Sequence, residues 1–295
     1  MSVDISKIKV NPGFMEHDPE DAVAEQALLD LISAQESEGS VAVSRFHLPR
    51  KYLSISSMGM YQRCPRQFYF RYVMGLSSPP GIAMVEGSTL HKTVESMHKV
   101  QMEEKKIHPL DVYMDHWNDQ FKELSSEVED WEEQQPQEIE TRGMSFVKMY
   151  YQDHLPKAKP TGVEQEIRWN ANGVPVLGFI DLVDKKQGVI DHKVTGRSKS
   201  QRDVDNSMQL TLYAAATGRK EVGFNSFVKT KVPKIDVKRG VREPWQIEDM
   251  NETFESVAEA ITKGAFPLCG DDNPLCSAKY CGFWSRCRGR TRTTR

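Results

Sequence analysis

Nowhere does the chain approach the ~20 consecutive apolar residues that a helix needs to cross a bilayer. Its first residues, MSVDISKIKVNPGF, hold no apolar run of the kind a secretion signal requires. Both absences point away from membrane classes, and a cytoplasmic protein is expected. No G-x-x-x-x-G-K-[ST] loop is present, so no nucleoside triphosphate is expected to take part. An excess of positive charge is missing too. A formal net charge of -3 argues against nonspecific coating of nucleic acid, while a local basic groove remains compatible with it. Cysteine is scarce, at five residues in 295, and in a reducing compartment so few do not read as a disulfide framework.

What is present describes one main domain with appendages, long enough to bury a core without covalent help. Residues 1–50 read as a loosely attached leader with an amphipathic helix near Asp21 to Gln35. From residue 51 to 295 a single domain is expected, with a helical insertion at about 100–158 and a cysteine-bearing segment at 264–295. Tyr61, Cys64, Phe68 and Tyr72 fall on one helical face, and Pro65 should break or bend that helix beside Cys64. A second helix is expected from EGST, with Ser88 as N-cap and His91 in its first turn. Two more are centred on Trp117 and Val147. The period then changes to two in GVEQEIRWN, VLGFIDLV and GVIDHKV, which read as strands. A helix at VDNSMQLTLYAAATG, a strand at VGFNSFVKT and a helix from Glu248 to Lys263 complete the order. The expected fold class is α/β (α+β), a mixed central sheet flanked by helices.

The chemistry is densest in GFIDLVDKKQGVIDHKVTG. Alternation puts Asp181 on one face of the first strand, and Asp191 and Lys193 on one face of the second. A symmetric turn pairs Val183 with Val189 and sets Asp181 opposite Asp191, with Cβ atoms about 4.5–5.5 Å apart. Like charges so close are destabilising, so a cation must compensate. Lys193 supplies one charge, and two aspartates among Val, Ile, Leu and Phe form a hard oxygen site suited to Mg²⁺ or Mn²⁺. The flanking apolar residues favour this over a solvated hairpin.

A Gly-x-x-Asp strand, a turn and an apolar strand ending Asp-x-Lys resemble the active-site core of the PD-(D/E)XK nucleases. Gly87 with His91, and Gln209 with Tyr213, are similar to the Gly-x-x-x-His and Gln-x-x-x-Tyr features of its RecB-like branch, which includes CRISPR-adaptation nucleases and phage exonucleases. Singly, His91 could pair with Glu95 one turn away, and Gln209 and Tyr213 could be packing residues. The resemblance implies a restriction-endonuclease-like core in which His91, Asp181, Asp191 and the Val194 carbonyl hold the cation. Lys193 would orient or deprotonate the attacking water, and Glu166 would give outer support.

Four cysteines crowd into the last 27 residues: Cys269, Cys276, Cys281 and Cys287. The resemblance, with Cys64 followed by Pro65, implies a [4Fe-4S] cluster on Cys64, Cys276, Cys281 and Cys287, leaving Cys269 as a spare thiol able to replace Cys276. Zn²⁺ on four thiolates and plain reduced cysteines are the alternatives. The arginines from Arg286 onward could contact phosphates or form a disordered end.

The function these features imply is a metal-dependent DNA exonuclease acting at single- or double-stranded ends in phage or bacterial recombination, replication or repair, with a recombination protein as a partner. One alternative is a CRISPR-adaptation nuclease that trims spacer precursors. Another, of a different class, is a noncatalytic iron-sulfur protein that binds DNA ends.

Overall fold

The computed structural model describes residues 45–77, 80–128, 131, 134–270 and 272–288. The helix expected at Asp21 to Gln35 and the tail beyond Arg288 lie outside these residues. In chain order the helices before the sheet are α1 (Ile55–Arg63), α2 (Pro65–Phe68), a π-helical turn (Tyr69–Val73), α3 (Ile82–Glu103), α4 (Leu110–Ser125) and α5 (Pro136–Asp153). Strands β1 (Pro160–Ala171), β2 (Val174–Asp184) and β3 (Gly188–Thr195) follow, then α6 (Gln201–Asp205) and α7 (Met208–Thr217). Strands β4 (Glu221–Val228) and β5 (Lys234–Val241) precede α8 (Pro244–Thr262) and α9 (Trp284–Cys287). No helix among the described residues is long and apolar enough to cross a membrane.

The five strands form one sheet in the order β1-β2-β3-β4-β5. Strands β2 and β3 are antiparallel, β3 and β4 parallel, and β4 and β5 antiparallel. This is the mixed sheet that the pattern of elements implies. Strand β5 is an addition: its text, KIDVKRGV, carries too many charges for alternation to mark it. The β2–β3 turn falls where expected, pairing Val183 with Val189 and Asp184 with Gly188. Gly188 has φ +76°, and a Cβ there would come within 2.0 Å of the Glu221 carbonyl oxygen. Only glycine permits both the turn and this approach of β4.

The chain divides into two compact units. One comprises the described parts of Pro79–Arg168 and Gly178–Met250. In it α3, α4 and α5 pack around Trp117, Phe146 and Tyr150, all essentially without exposure. A buried aromatic of ~200 Å² contributes about 5 kcal/mol of transfer energy, so these three rings account for much of the helical core. Gly143 makes the contact possible, since a Cβ there would sit 1.7 Å from the Trp117 ring. Helix α3 starts at Ile82, with Gly81 as N-cap, instead of at Ser88. Ile82 and Val85 bury themselves in the core and carry the helix backward through Gly87, so His91 lies in its third turn.

The other unit comprises the described parts of Met1–Ser78, Trp169–Leu177 and Asn251–Arg295. Helix α1 is closed by a reciprocal Ser54–Ser57 cap and stops at Cys64, which is extended at φ -159° and ψ 99°. Pro65 then opens α2, as its fixed φ and missing N–H favour at a first helical position. Tyr61, Phe68 and Tyr69 surround Phe266, with ring centroids 5.1–6.2 Å away, and the Tyr61 hydroxyl donates to the Ala265 carbonyl at 2.5 Å.

Candidate active site

The first unit gathers the predicted polar residues at the middle of β2 and β3. The β2–β3 ladder ends at Leu182–Ile190, and one step beyond it the Asp181 Oδ2 accepts the backbone N–H of His192 at 2.6 Å. The His91 Nδ1 lies 3.4 Å from Asp181 Oδ1. The Lys193 Nζ is 2.9 Å from Asp191 Oδ2 and donates to Gln209 Oε1 at 2.9 Å. Gln209 in turn donates to the Tyr213 hydroxyl at 2.8 Å. The Gln-x-x-x-Tyr pair of α7 therefore braces the lysine and is more than packing. Val194 pairs with Phe227 in the β3–β4 ladder and turns its side chain to the helical core.

Glu164 completes the cluster, and sequence reasoning missed it. Its carboxylate and donor atoms of His91 and Asp181 lie within 4.8 Å of one another. Alternation puts Glu164 and Glu166 on one face of β1 and cannot choose between them. Glu164 has φ +45°, a left-handed twist within a strand that a non-glycine residue seldom adopts. Glu166 instead pairs with Arg168 at 2.7 Å.

The two aspartates titrate apart. Burial raises the Asp191 carboxyl to about 6, with Lys193 opposing and Asp181 adding to the rise. Burial would raise Asp181 as well, but the charge and hydrogen bond of His91 hold it far below the usual carboxylate range. His91 responds in kind: burial would lower it, yet Asp181 lifts it to about 9. Burial likewise opposes the charge on Lys193, and Asp191 and Asp181 outweigh it, so the ammonium is retained. Tyr213 is pushed well above its ordinary value by burial and stays a neutral hydroxyl.

The donor set fits a divalent cation. Both Asp191 oxygens are buried; the Lys193 ammonium meets Oδ2, while Oδ1 has no hydrogen-bond donor. A buried carboxylate oxygen without a donor is costly. A hard cation held by carboxylates and one imidazole removes that cost.

In the second unit all five cysteines, Cys64, Cys269, Cys276, Cys281 and Cys287, line one cavity. Asn273 donates to the Arg63 carbonyl at 3.1 Å, which ties the C-terminal turns to the end of α1. The thiols converge without gathering tightly. Among the described residues no three cysteine sulfurs lie within 4.8 Å of one another. Cys269, expected as a spare, hydrogen-bonds to both Cys64 and Cys276, and burial with those contacts pushes its thiol up to about 12. This arrangement does not by itself support the expected cluster on Cys64, Cys276, Cys281 and Cys287. Backbone bonds such as Cys276 N–H to Asn273 O fix each turn, and the Arg288 guanidinium donating to the Cys269 carbonyl at 2.7 Å ties the first of them to the last.

The family model for the PD-(D/E)XK nuclease superfamily matches residues 52–288. No curated protein matches the sequence significantly. Among solved structures, a Eubacterium rectale protein that carries the name Putative exonuclease aligns with a TM-score of 0.50 at 11% identity, over 82% of this chain and 92% of its own. A protein named SSO0001 aligns over 90% of this chain and 97% of its own, with a TM-score of 0.37 at 13% identity.

Proposed function

The chain belongs to the PD-(D/E)XK nuclease superfamily, and from this we propose that it is a divalent-metal-dependent deoxyribonuclease of the RecB-like branch that hydrolyses phosphodiester bonds at DNA ends during recombination, replication or repair. One observation carries the reading. His91, Glu164 and Asp181 present donor atoms within 4.8 Å of one another, beside a buried Asp191 whose Oδ2 meets the Lys193 ammonium and whose Oδ1 has no hydrogen-bond donor.

His91, Glu164, Asp181 and Asp191 would hold Mg²⁺ or Mn²⁺, with the Val194 carbonyl as a further oxygen. When bound, the cation stabilises charge on the phosphoryl oxygens and lowers the pKa of water. Lys193 is fixed from two sides, by Asp191 and by Gln209, so its ammonium can point at an attacking water without a search over rotamers. A second positive charge nearby lowers the pKa of an ammonium, which would let Lys193 pass from orienting the water to taking its proton. Tyr213 holds Gln209, and through it the lysine.

End-labelled single- and double-stranded DNA, incubated with Mg²⁺ or Mn²⁺ and resolved by length, tests the reading. Stepwise shortening is expected. Asp181→Ala and Asp191→Ala should each lower the rate by about a thousandfold or more, since several kcal/mol of charge stabilisation is lost. Wild-type cleavage by either variant would overturn the site, and DNA binding without cleavage by the parent would make the protein a noncatalytic end binder.

On the same family reading the cysteine cavity is proposed to take a [4Fe-4S] cluster, with Zn²⁺ as the alternative. The proposal rests on the resemblance at Cys64 and Pro65 and on the five cysteines lining one cavity, and not on the spacing of their thiols. Iron and zinc content of anaerobically purified protein, with its visible absorption, decides between the two, and neither metal would remove the assignment.

A further inference from the structure

Between Lys229 and Arg242 the chain carries six cationic side chains and one carboxylate, Asp236, against a net charge of -3 for the whole. Three of these cations are taken up in structure. Lys229 pairs with the buried Glu86 at 3.1 Å. Arg239 donates to Asn225 and Gln187, and Arg242 to Thr211. Of the other three, Lys238 is half-buried in β5, and Lys231 and Lys234 are exposed, in the turn between β4 and β5 and at its exit. Val232, between them, is 77% exposed, more than any other large apolar residue of the described chain. A single exposed valine is ordinary. A valine held out at a turn tip between two lysines is a different object.

This turn follows the end of β4 that lies beside the last residues of β3, two residues past Lys193. Lys193 faces Ser226 in the parallel β3–β4 ladder and Thr195 faces Val228, the last residue of β4. The Lys229 N–H then donates to the Thr195 carbonyl at 2.8 Å. From Ser226 to Val232 the chain can extend at most about 20 Å, or roughly six base steps of 3.4 Å. The base of the turn is anchored: Glu86, 1% exposed at its side chain, receives two bonds from Arg142 at 2.7 and 3.0 Å as well as the Lys229 ammonium. Glu86 belongs to α3, which also carries His91. At the tip, the Thr230 hydroxyl donates to the Val232 carbonyl at 2.7 Å, and Pro233 restricts the valine backbone.

We propose that the Thr230–Lys234 turn is a duplex-end wedge, in which Val232 packs against the terminal base pair and Lys231 and Lys234 hold the flanking phosphates. Apolar side chains unstack base steps in this way, and lysines neutralise phosphates irrespective of sequence. The inference rests on the nuclease reading for its location but is tested apart from it. In chelator, where turnover stops, the parent should brighten 2-aminopurine placed at the terminal pair of a blunt DNA duplex, and Val232→Ser should not. With Mg²⁺, Val232→Ser should lower the ratio of duplex to single-strand cleavage by about tenfold. Lys231→Gln and Lys234→Gln should each reduce the salt slope of duplex binding by about one. All three positions lie outside the core, so unaltered melting is expected and is the control. A parent that brightens 2-aminopurine but cuts nothing would sink the nuclease reading and keep the wedge. A Val232→Ser protein with parental brightening and parental cleavage ratio would overturn the wedge and leave the nuclease.

Discussion

The carboxylate site and the cysteine cavity differ in what sets the position of their reactive atoms. Asp191 and Lys193 stand in the β3–β4 ladder, whose register is fixed residue by residue, Asp181 lies one step beyond the β2–β3 ladder and accepts the His192 N–H, and each is linked to a neighbour that is itself held. The four C-terminal cysteines sit on turns and on the four-residue α9, where the backbone–backbone bonds among the described residues span three or four residues. The longer ties are side-chain bonds, from Asn273 to the Arg63 carbonyl and from Arg288 to the Cys269 carbonyl. A ladder transmits order along its length. A string of turns does not, so its thiols can share a cavity without reaching the spacing that a single metal ion would impose. The first region is organised in the metal-free chain, whereas the proposed cluster would have to supply the final order of the second.

Proton competition gives the strongest test of this contrast. In the metal-free site His91 holds its proton up to about pH 9 and Asp191 up to about 6. Cation and proton compete for the same atoms, so apparent Mn²⁺ affinity should rise with pH across that window, by about tenfold per pH unit for each proton displaced. Calorimetric titration in buffers of different ionisation enthalpy would count the protons, and an affinity flat from pH 6 to 9 would remove His91 from the ligands.

Rigidity behind the site comes next. Glu86→Ala leaves Arg142 and Lys229 without their carboxylate and should cost about 3 kcal/mol in urea unfolding, the low end for a broken buried pair because both cations keep some contact with water. A loss under 1 kcal/mol would mean that the network adds little to the scaffold.

Glu164→Gln keeps the shape of the side chain and removes its charge. Mn²⁺ affinity should fall about tenfold while melting of the metal-free protein changes little, since one ligand of several is weakened. Parental affinity would return Glu164 to a purely structural role.

Cys64→Ser has the smallest expected effect on the metal-free chain, below about 1 kcal/mol for a neutral hydrogen bond. In protein loaded with iron the same change should lower melting far more. Equal losses in both states would erase the distinction between a preformed site and one ordered by its ligand.

Much of the first region was legible in the text of the chain because strand chemistry is periodic. Alternation and a five-residue turn give the Val183–Val189 pair, while the ladder stops at Leu182–Ile190, one step short of the expected Asp181–Asp191 pair, where Asp181 instead accepts the His192 N–H. His91 was visible by residue type, yet its helix was read as starting late, because Ser88 mimics a cap and Gly87 a break while burial of Ile82 and Val85 overrides both. Glu164 escaped because alternation offered two glutamates, and only a local reversal of φ chooses between them. Pro65 by itself marked the helix break, while the meeting of Cys64 with the C-terminal cysteines was implied only by the resemblance at Cys64 and Pro65. Their spacing was not legible, since it depends on turns whose mutual distances no short pattern encodes.

The twisted backbone at Glu164 has a consequence for anyone who would copy this site. A carboxylate aimed by its rotamer can be moved to any strand with space around it. One aimed by a left-handed residue within a strand is a property of the main chain, whose strain of order 1–3 kcal/mol must be balanced by the surrounding fold. Grafting Asp181, Asp191 and Lys193 onto a regular sheet, with His91 supplied by a helix, would carry over four correct side chains and leave Glu164 aimed along the ordinary strand direction. The portable unit is the three-strand segment with its irregularity intact, together with α3.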